Sequence, residues 1–229
     1  MILFNLNEEV FAVQEFADHV LVSSEKKTYK AKYVILATPS YVANKLYSPI
    51  SQIEKDLMSS AYGKIISVVC KTNKRWWDDE KLKGLYSMSF PDREASILGS
   101  ILFLSAIPNR VPDDNEVLQI FLSEKGSEKL FNFSKEVIIS AFKREIDVYL
   151  NGFSSSLEDY KIKKWYGGMV NVPVGKAKLI KSYRELISEK FKEANSRVIL
   201  AGDYVNIPGL EGAYSSGLWA AEKIENAMK

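Results

Sequence analysis

Polar and apolar residues alternate in "EVFAVQEF" and "HVLVSSE", where β-branched and aromatic residues predict two short strands, and "KKTYKAKYVILATPS" follows as a hydrophobic strand ending at Pro39. These three segments predict a hairpin leading into a central strand. In "SPISQIEKDLMSS" the period turns helical, with Ile53, Leu57 and Met58 on one side. From Ala61 to about Leu122 come "GKIISVVCKTN", "KGLYSMSF", "SILGSILFLSA" and "EVLQIFLS", strand-like and separated by turn-rich pieces such as "PNRVPDDNE". They predict a mostly antiparallel sheet. A helix is expected in "SKEVIISAFKREIDVYL", capped by Ser134, with Glu136 at its positive end and Ile138, Phe142, Glu145 or Ile146, and Tyr149 on successive turns. Strand-like "EDYKIKKWYGG" is followed by the helical "KAKLIKSYRELISEKF", with Leu179, Tyr183, Leu186 and Ile187 on one stripe, and then by "RVILAGD" and a last helix. The order gives an α/β piece over residues 1–54 and 171–229, interrupted by a sheet-and-helix piece over residues 55–170.

The closing stretch "SRVILAGDYVNIPGLEGAYSSGLWAAEKIENAMK" carries the clearest chemistry. Arg197 to Ala201 form a continuous apolar strand, Gly202 lets the backbone pass close to a ligand, and Asp203 emerges at the strand's carboxyl end, where a doubly wound fold presents its ligand. A carboxylate there either accepts hydrogen bonds from a sugar or polyol hydroxyl or simply caps the next helix. The helix is expected to begin near Gly212 or Ala213, with unpaired N–H groups and its positive end facing the same place. Ala213, Gly217, Ala220 and Ala221 keep its surface low, so that a flat ligand or a strand can approach.

The charge balance changes the picture by exclusion. A net charge of +2 from 31 basic and 29 acidic residues gives no single-sign field to hold nucleic acid or an anionic membrane, so partners must be argued from sites. One cysteine, Cys70, rules out an internal disulfide framework, and one histidine, His19, leaves a metal site or a Ser-His-Asp arrangement without a second member. His19 is expected to be a solvated hairpin residue and Cys70 a buried apolar thiol. "RWWDDEKLK" is read as partly buried aromatics beside a solvated charge run, and the aspartate pairs beginning at 78 and 113 as turn residues. Trp165 and Tyr166, read as ending a strand before two glycines, either pack in the core or wall a planar ligand. With no signal peptide and no apolar run long enough to span a bilayer, a soluble cytoplasmic protein is expected, with peripheral membrane contact left open.

"LAGDYVNIPGLEGAYSSGLWAA" resembles the carboxyl-terminal flavin signature of the flavin-dependent amine oxidase, phytoene desaturase and protoporphyrinogen oxidase superfamily, through Gly202, Asp203, Glu211, Gly212, Ala213, Ser216 and Gly217. "NEEVFAVQEF…VLVSSEKKTYKAKYVILATP" is similar to the superfamily's hairpin and the strand that ends in Ala-x-Pro, here Ala37 to Pro39. The middle, "KGLYSMSFP…SILGSILFLSAIPNRVPDDNEVLQIFLS" and "KKWYGGMVNVPVGKAKLI", most resembles the protoporphyrinogen oxidase branch, with Lys176 standing where that branch has a histidine after Gly175.

The resemblance implies α/β plus α+β architecture: the carboxyl part of a Rossmann-like FAD-binding domain with an inserted, mostly antiparallel substrate domain. It implies that the backbone of Val10 meets adenine, Ala37 and Pro39 line the adenosine end, and Asp203 with Gly202 holds the ribitol. The amides of Gly212 and Ala213 would face the flavin pyrimidine and Trp165 would wall a flavin face. No residue is a convincing general base, because in such enzymes the flavin takes the hydride. The superfamily's strand, G-x-G-x-x-G turn and acidic residue have no counterpart among the 12 glycines here. The chain therefore resembles the carboxyl half of such an enzyme, with an apolar small-molecule substrate, and is expected not to retain FAD unless a separate amino-terminal half or a second copy completes it. Phytoene desaturase-like or amine oxidase-like activity, and a non-catalytic binding remnant, are the alternatives.

Overall fold

The computed structural model describes residues 3–75, 80–91, 97–112, 116–193 and 195–229. The chain divides into two compact units, Met1–Tyr62 with Met169–Lys229, and Gly63–Gly168. In chain order it forms β1 (Val10–Glu15), β2 (Val20–Ser24), β3 (Thr28–Ala31), β4 (Val34–Leu36), α1 (Ser40–Leu46) and α2 (Gln52–Met58). There follow β5 (Tyr62–Thr72), β6 (Ser87–Ser89), β7 (Leu98–Phe103), β8 (Glu116–Leu122), α3 (Glu124–Leu130), α4 (Lys135–Tyr149), α5 (Phe153–Ser156) and β9 (Leu157–Val170). The chain closes with α6 (Lys176–Lys192), β10 (Val198–Leu200) and α7 (Leu210–Ala227).

In the first unit β1, β2 and β3 make an antiparallel meander with Val13 opposite Val22 and Val22 opposite Tyr29. The segment read as one strand, "KKTYKAKYVILATPS", is broken at Lys32–Tyr33: β3 pairs with β2, whereas β4 pairs in parallel with β10, Val34 opposite Val198 and Leu36 opposite Leu200. A short pattern cannot announce that change, because the partner of β4 is supplied from the far end of the chain. Helix α1 was not expected; it starts directly after Pro39, an N-cap position where the missing N–H of proline costs nothing.

The unit closes on one apolar cluster containing Val13, Val20, Leu36, Leu57, Met58 and all of β10. Helix α6 contributes Tyr183, Ile187 and Phe191 at a spacing of four, with Leu179 partly buried against them, so the stripe runs one turn further than expected while Leu186 is only half-buried. Each such side chain contributes about 1.5–3 kcal/mol of transfer free energy. Helix α7 buries Gly212, Ser216 and Ala220 and leaves Leu210, Tyr214 and Leu218 exposed along its other side.

Polar groups pin the same cluster. The Tyr183 hydroxyl, wholly buried, accepts the Leu200 N–H at 2.7 Å and donates to the Leu200 carbonyl at 3.3 Å. Glu15 accepts from the Tyr47 hydroxyl at 2.5 Å, from Ser196 Oγ at 3.2 Å and from the Arg197 N–H, tying the ends of β1 and α1 to the start of β10. Glu54 is fully buried on α2 and receives Lys190 Nζ of α6 at 2.7 Å.

The second unit is a five-stranded sheet in the order β6-β7-β8-β5-β9, antiparallel between β6 and β7, β7 and β8, and β8 and β5. Along β8 burial alternates strictly, with Leu118, Ile120 and Leu122 facing the core, as the period-2 pattern requires. Ile138, Phe142 and Ile146 of α4 are fully buried in that core, and the Ser134 hydroxyl caps the helix by accepting the Val137 N–H at 3.5 Å. Glu145, on the neighbouring row, turns its carboxylate to the N–H groups of Ile97 and Leu98 at 3.1–3.3 Å, where β7 begins. Helix α3, also unexpected, is capped by Ser123 and packs so closely that a Cβ on Gly126 would lie 2.6 Å from the Ile97 carbonyl oxygen.

Burial raises the Glu54 carboxyl above its ordinary 4.5, against the opposing pull of Lys190. The native state therefore holds this proton to a higher pH than the unfolded chain does, and the proton's contribution to stability is lost as pH rises through the elevated native value. Chemical denaturation of the wild type and of Glu54→Gln should show the wild type gaining stability relative to the variant as pH falls from neutrality toward 4.5. Parallel pH profiles for the two proteins would mean that Glu54 does not titrate in that window.

Candidate functional site

The parallel pairing of β4 and β10 brings two carboxyl ends side by side: the Ala201 N–H donates to the Leu36 carbonyl at 2.9 Å, and beyond it run Ala37–Thr38–Pro39 and Gly202–Asp203. Gly202 has φ 140° and ψ 172°, and a Cβ there would lie 2.9 Å from the Tyr204 ring, so both conformation and space require glycine. Its N–H donates to Ser216 Oγ at 2.8 Å, and that hydroxyl donates to the Ala213 carbonyl at 2.8 Å. One serine thus fastens α7 to the end of β10.

Asp203 is partly exposed and opens a 3-10 turn over Asp203–Val205; its Oδ2 accepts the Gly209 N–H at 3.5 Å. Three hydroxyls collect at the same strand ends. Tyr204 is wholly buried, and among the described residues neither its hydroxyl nor the buried Thr38 Oγ1 has a partner. A buried hydroxyl without a partner costs about 1–3 kcal/mol, a cost that a polar group arriving at the strand ends would relieve. The third, on Tyr62, accepts the Ser40 N–H at 3.2 Å and keeps its own proton for a further acceptor. Burial first, and the Asp203 charge among the lesser causes, hold both phenols above their ordinary value, so Tyr62 and Tyr204 remain neutral donors beside a carboxylate.

Helix α7 begins earlier than expected. Gly209, at φ 103°, is its N-cap, and the Ala213 N–H is spent on the Gly209 carbonyl at 3.1 Å. Ala213 therefore offers no amide, and the open donors of the helix start belong to Leu210, Glu211 and Gly212. Gly212 is buried against the preceding loop: a Cβ there would fall 1.7 Å from the Ile207 carbonyl oxygen, and Asn206 Nδ2 donates to the Gly212 carbonyl at 3.3 Å. Gly217 is small for no such reason, since a Cβ would meet nothing within 4 Å.

Of the residues singled out in the sequence, Ala37, Pro39, Gly202, Asp203, Gly212 and Ala213 are thus joined at the strand ends. Val10 is not among them: it opens β1 in the separate meander, opposite Ser24 and next to a bulge. Trp165 belongs to the second unit, half-exposed with Lys163 Nζ 4.9 Å above its ring, so it is no core residue. Nor do Trp165 and Tyr166 end a strand: β9 continues through both glycines to Val170, and Gly168 is required because a Cβ would lie 2.5 Å from the Ile65 side chain. Tyr166 packs edge-on against Phe131, 4.5 Å between ring centres.

Tyr62, Tyr204 and Ser40 were missed; they stand at the start of β5, in the turn after β10 and at the start of α1, and no spacing in the sequence signals their meeting. Cys70 is buried opposite Leu118, its thiol pushed up to about 12 by burial. His19 is less solvated than expected, stacked on Phe16 and bonded to Asp18 Oδ1 at 2.7 Å in the β1–β2 turn. Trp76, Trp77 and the aspartate pairs at 78 and 113 lie outside the described residues. A cavity of about 730 Å³, lined by Phe16, Tyr47, Ile50 and Arg197, sits at the opposite, amino end of β10, and its carboxylate, Glu15, is already spent. No helix among the described residues is long and apolar enough to cross a membrane, and no group of three or more His, Cys, Asp or Glu among them could hold a metal ion.

The sequence pattern of the family described as "Flavin containing amine oxidoreductase" matches residues 4–225. The chain is 21% identical over 207 residues to the chloroplastic protoporphyrinogen oxidase 1 of Spinacia oleracea, covering 86% of this chain and 36% of that protein. Its fold is similar to that of an Exiguobacterium sp. 255-15 protein assigned as a protoporphyrinogen oxidase, with TM-score 0.72, 18% identity, and 95% of this chain and 47% of the other covered. It is equally similar to the cyclohexylamine oxidase of Brevibacterium oxydans IH-35A, with TM-score 0.72, 14% identity, and 96% and 49% covered. The chain thus spans about half the length of these solved structures, and these likenesses fix a shared mixed α/β fold.

The two glycines of α7 make opposite predictions. Gly212→Ala forces backbone against backbone and should cost about 3 kcal/mol, the upper end for an added methyl group, whereas Gly217→Ala should be neutral or stabilising by up to about 1 kcal/mol through helix propensity. Urea denaturation of both variants measures the contrast; equal midpoints would show that the Ile207 loop yields freely.

Proposed function

The chain belongs to the flavin containing amine oxidoreductase family, and from that premise we propose that it is the carboxyl-terminal portion of an FAD-dependent oxidoreductase of the protoporphyrinogen oxidase type. The observation that carries the reading is the strand-end constellation: Asp203 flanked by Tyr62 and Tyr204, with the Tyr204 hydroxyl and Thr38 Oγ1 buried and unsatisfied. Such a donor and acceptor set suits the hydroxyl-rich and phosphate-bearing parts of a dinucleotide.

On this reading the first unit is the partial, Rossmann-like FAD-binding domain and the second the inserted substrate domain. Asp203 accepts a ribitol hydroxyl, Gly202 keeps the approach open, and Ala37 and Pro39 line the adenosine end. Val10 offers backbone groups to adenine from the meander. The open amides of Leu210, Glu211 and Gly212, with the positive end of an 18-residue helix, favour negative charge on the pyrimidine edge by about 0.3–1 kcal/mol, and up to about 2 where partly buried. Bound FAD would supply the hydride acceptor, so the chain needs no general base of its own. In the second unit the half-exposed Trp165 offers a face to a planar apolar substrate. The spinach relative's name supports a tetrapyrrole substrate; the equal fold likeness to an amine oxidase keeps amine oxidation as the second reading. The pyrophosphate cradle comes from an amino-terminal half carrying G-x-G-x-x-G.

Gel filtration should separate this chain, expressed by itself, from most added FAD, while the chain co-expressed with such a half should emerge with stoichiometric flavin absorbance. In that completed protein Asp203→Ala should weaken FAD binding about ten- to a hundredfold, the worth of a hydrogen bond to a charged acceptor, with circular dichroism unchanged. Wild-type affinity in the variant would remove Asp203 from the site.

The completed enzyme should oxidise protoporphyrinogen, read as rising porphyrin fluorescence with transient flavin bleaching. Anaerobic bleaching by a simple amine or by phytoene, with none by porphyrinogens, would replace the tetrapyrrole reading by one of the alternatives. Bleaching by none of the three would favour a binding remnant.

A further inference from the structure

Lys176, the first residue of α6, is a buried amine whose charge has no counterpart. Its residue surface is only 6% exposed, and its Nζ donates to a single neutral group, Ser60 Oγ, whose own proton goes to the Leu57 carbonyl at 2.5 Å. Among the described residues no carboxylate pairs with it, in contrast to Lys190, which reaches the buried Glu54. Burial lowers its affinity for the proton, with nothing opposing. A desolvated ammonium without a counter-ion is costly, and an anion arriving beside it favours the charged form.

The surroundings add to the same sign. The first turn of α6 holds no acidic residue and a second lysine, Lys178, and the N-cap Gly175, at φ 91°, contributes no side-chain bond, so the N–H groups of Ala177 and Lys178 remain open donors by the geometry of a helix start. The segment that leads into the helix, Asn171–Gly175, is exposed at every residue, with Val172 and Val174 open to solvent and nothing within 4 Å of a Cβ on Gly175. A segment with so little buried surface opens at low cost.

We propose that Lys176 is the recognition point of an oxyanion site, taking a carboxylate or phosphate group of a small-molecule ligand, with the helix-start amides of α6 as its neutral donors. Oxyanion entry supplies the missing counter-charge and raises the amine's affinity for its proton. Affinity is therefore greatest below the amine's native pKa and falls about tenfold for each pH unit above it, because the anion binds the protonated state. The proposal is argued from Lys176 and the start of α6 and not from the flavin reading, and no step of it uses a dinucleotide.

The test uses the full chain labelled with ¹³C at lysine Cε, titrated with sodium phosphate and, separately, with sodium propionate, against sodium chloride at matched ionic strength. The Lys176 resonance, identified by its loss in Lys176→Met, should titrate below the other lysines and move up saturably with at least one oxyanion but not with chloride. Saturation by phosphate alone assigns a phosphate-bearing ligand, by propionate alone a carboxylate-bearing one, and by both an unselective oxyanion site. Lys176→Arg keeps the charge at every accessible pH, so it should bind the same probe with the tenfold-per-unit dependence gone; this variant also serves if Lys176→Met fails to fold. Absence of saturation with both probes, or calorimetric binding that keeps its pH dependence in Lys176→Arg, would overturn the proposal.

Discussion

Two strands of three residues each, paired in parallel and drawn from opposite ends of the chain, are what the first unit depends on. So short a parallel pair would not persist by its ladder alone. It persists because β10 is buried completely among α6, α7 and the meander, and because buried polar groups account for what the ladder leaves over: Tyr183 on Leu200, Glu15 on Arg197 and Ser196, and Leu36 on Ala201. Everything assigned to the ligand site follows from this pairing, since it alone puts Thr38 beside Gly202.

From there the constraints are steric as much as electrostatic. Gly202 is pressed between a ring and a neighbouring loop, Ser216 fixes the helix to the strand through one hydroxyl, and Gly212 lets the returning loop touch the helix. These contacts hold the Asp203 carboxylate next to two neutral phenols without an ion pair. A carboxylate beside two phenolic donors suits the holding of hydroxyl groups.

Much of the second unit was legible in the sequence because its physics is local. The strict alternation of β8 and the four-residue spacing of Ile138, Phe142 and Ile146 each report a single buried face, and Ser134 announces its helix by a bond within one turn. The motif at Gly202 and Asp203 was equally plain. What escaped was decided at a distance or by the backbone. The split of β3 from β4 depends on a partner strand near residue 200; α1 and α3 bury chiefly small or polar residues, Ser40 and Ala43 in one and Gly126 and Ser127 in the other, and so show no apolar period. The start of α7 was misplaced because its cap is a glycine in an unusual conformation, carrying no side chain that could advertise it. Tyr62 and Tyr204 sit among ordinary aromatic residues, and only the fold turns their hydroxyls toward one aspartate.

The hydrogen bonds of Tyr183 have one more consequence. Ala201 donates across to β4, so the N–H and C=O of Leu200, the residue before it, point away from that partner, and it is these two groups that the phenol occupies. An exposed row of such groups is a template on which stray strands add and aggregate. Here one side-chain hydroxyl stands in for a third strand and closes that edge. Widening the sheet on this side would require a fully buried aromatic residue to be expelled and its helix to yield, so the width of the sheet is set by α6 and not by the strands themselves.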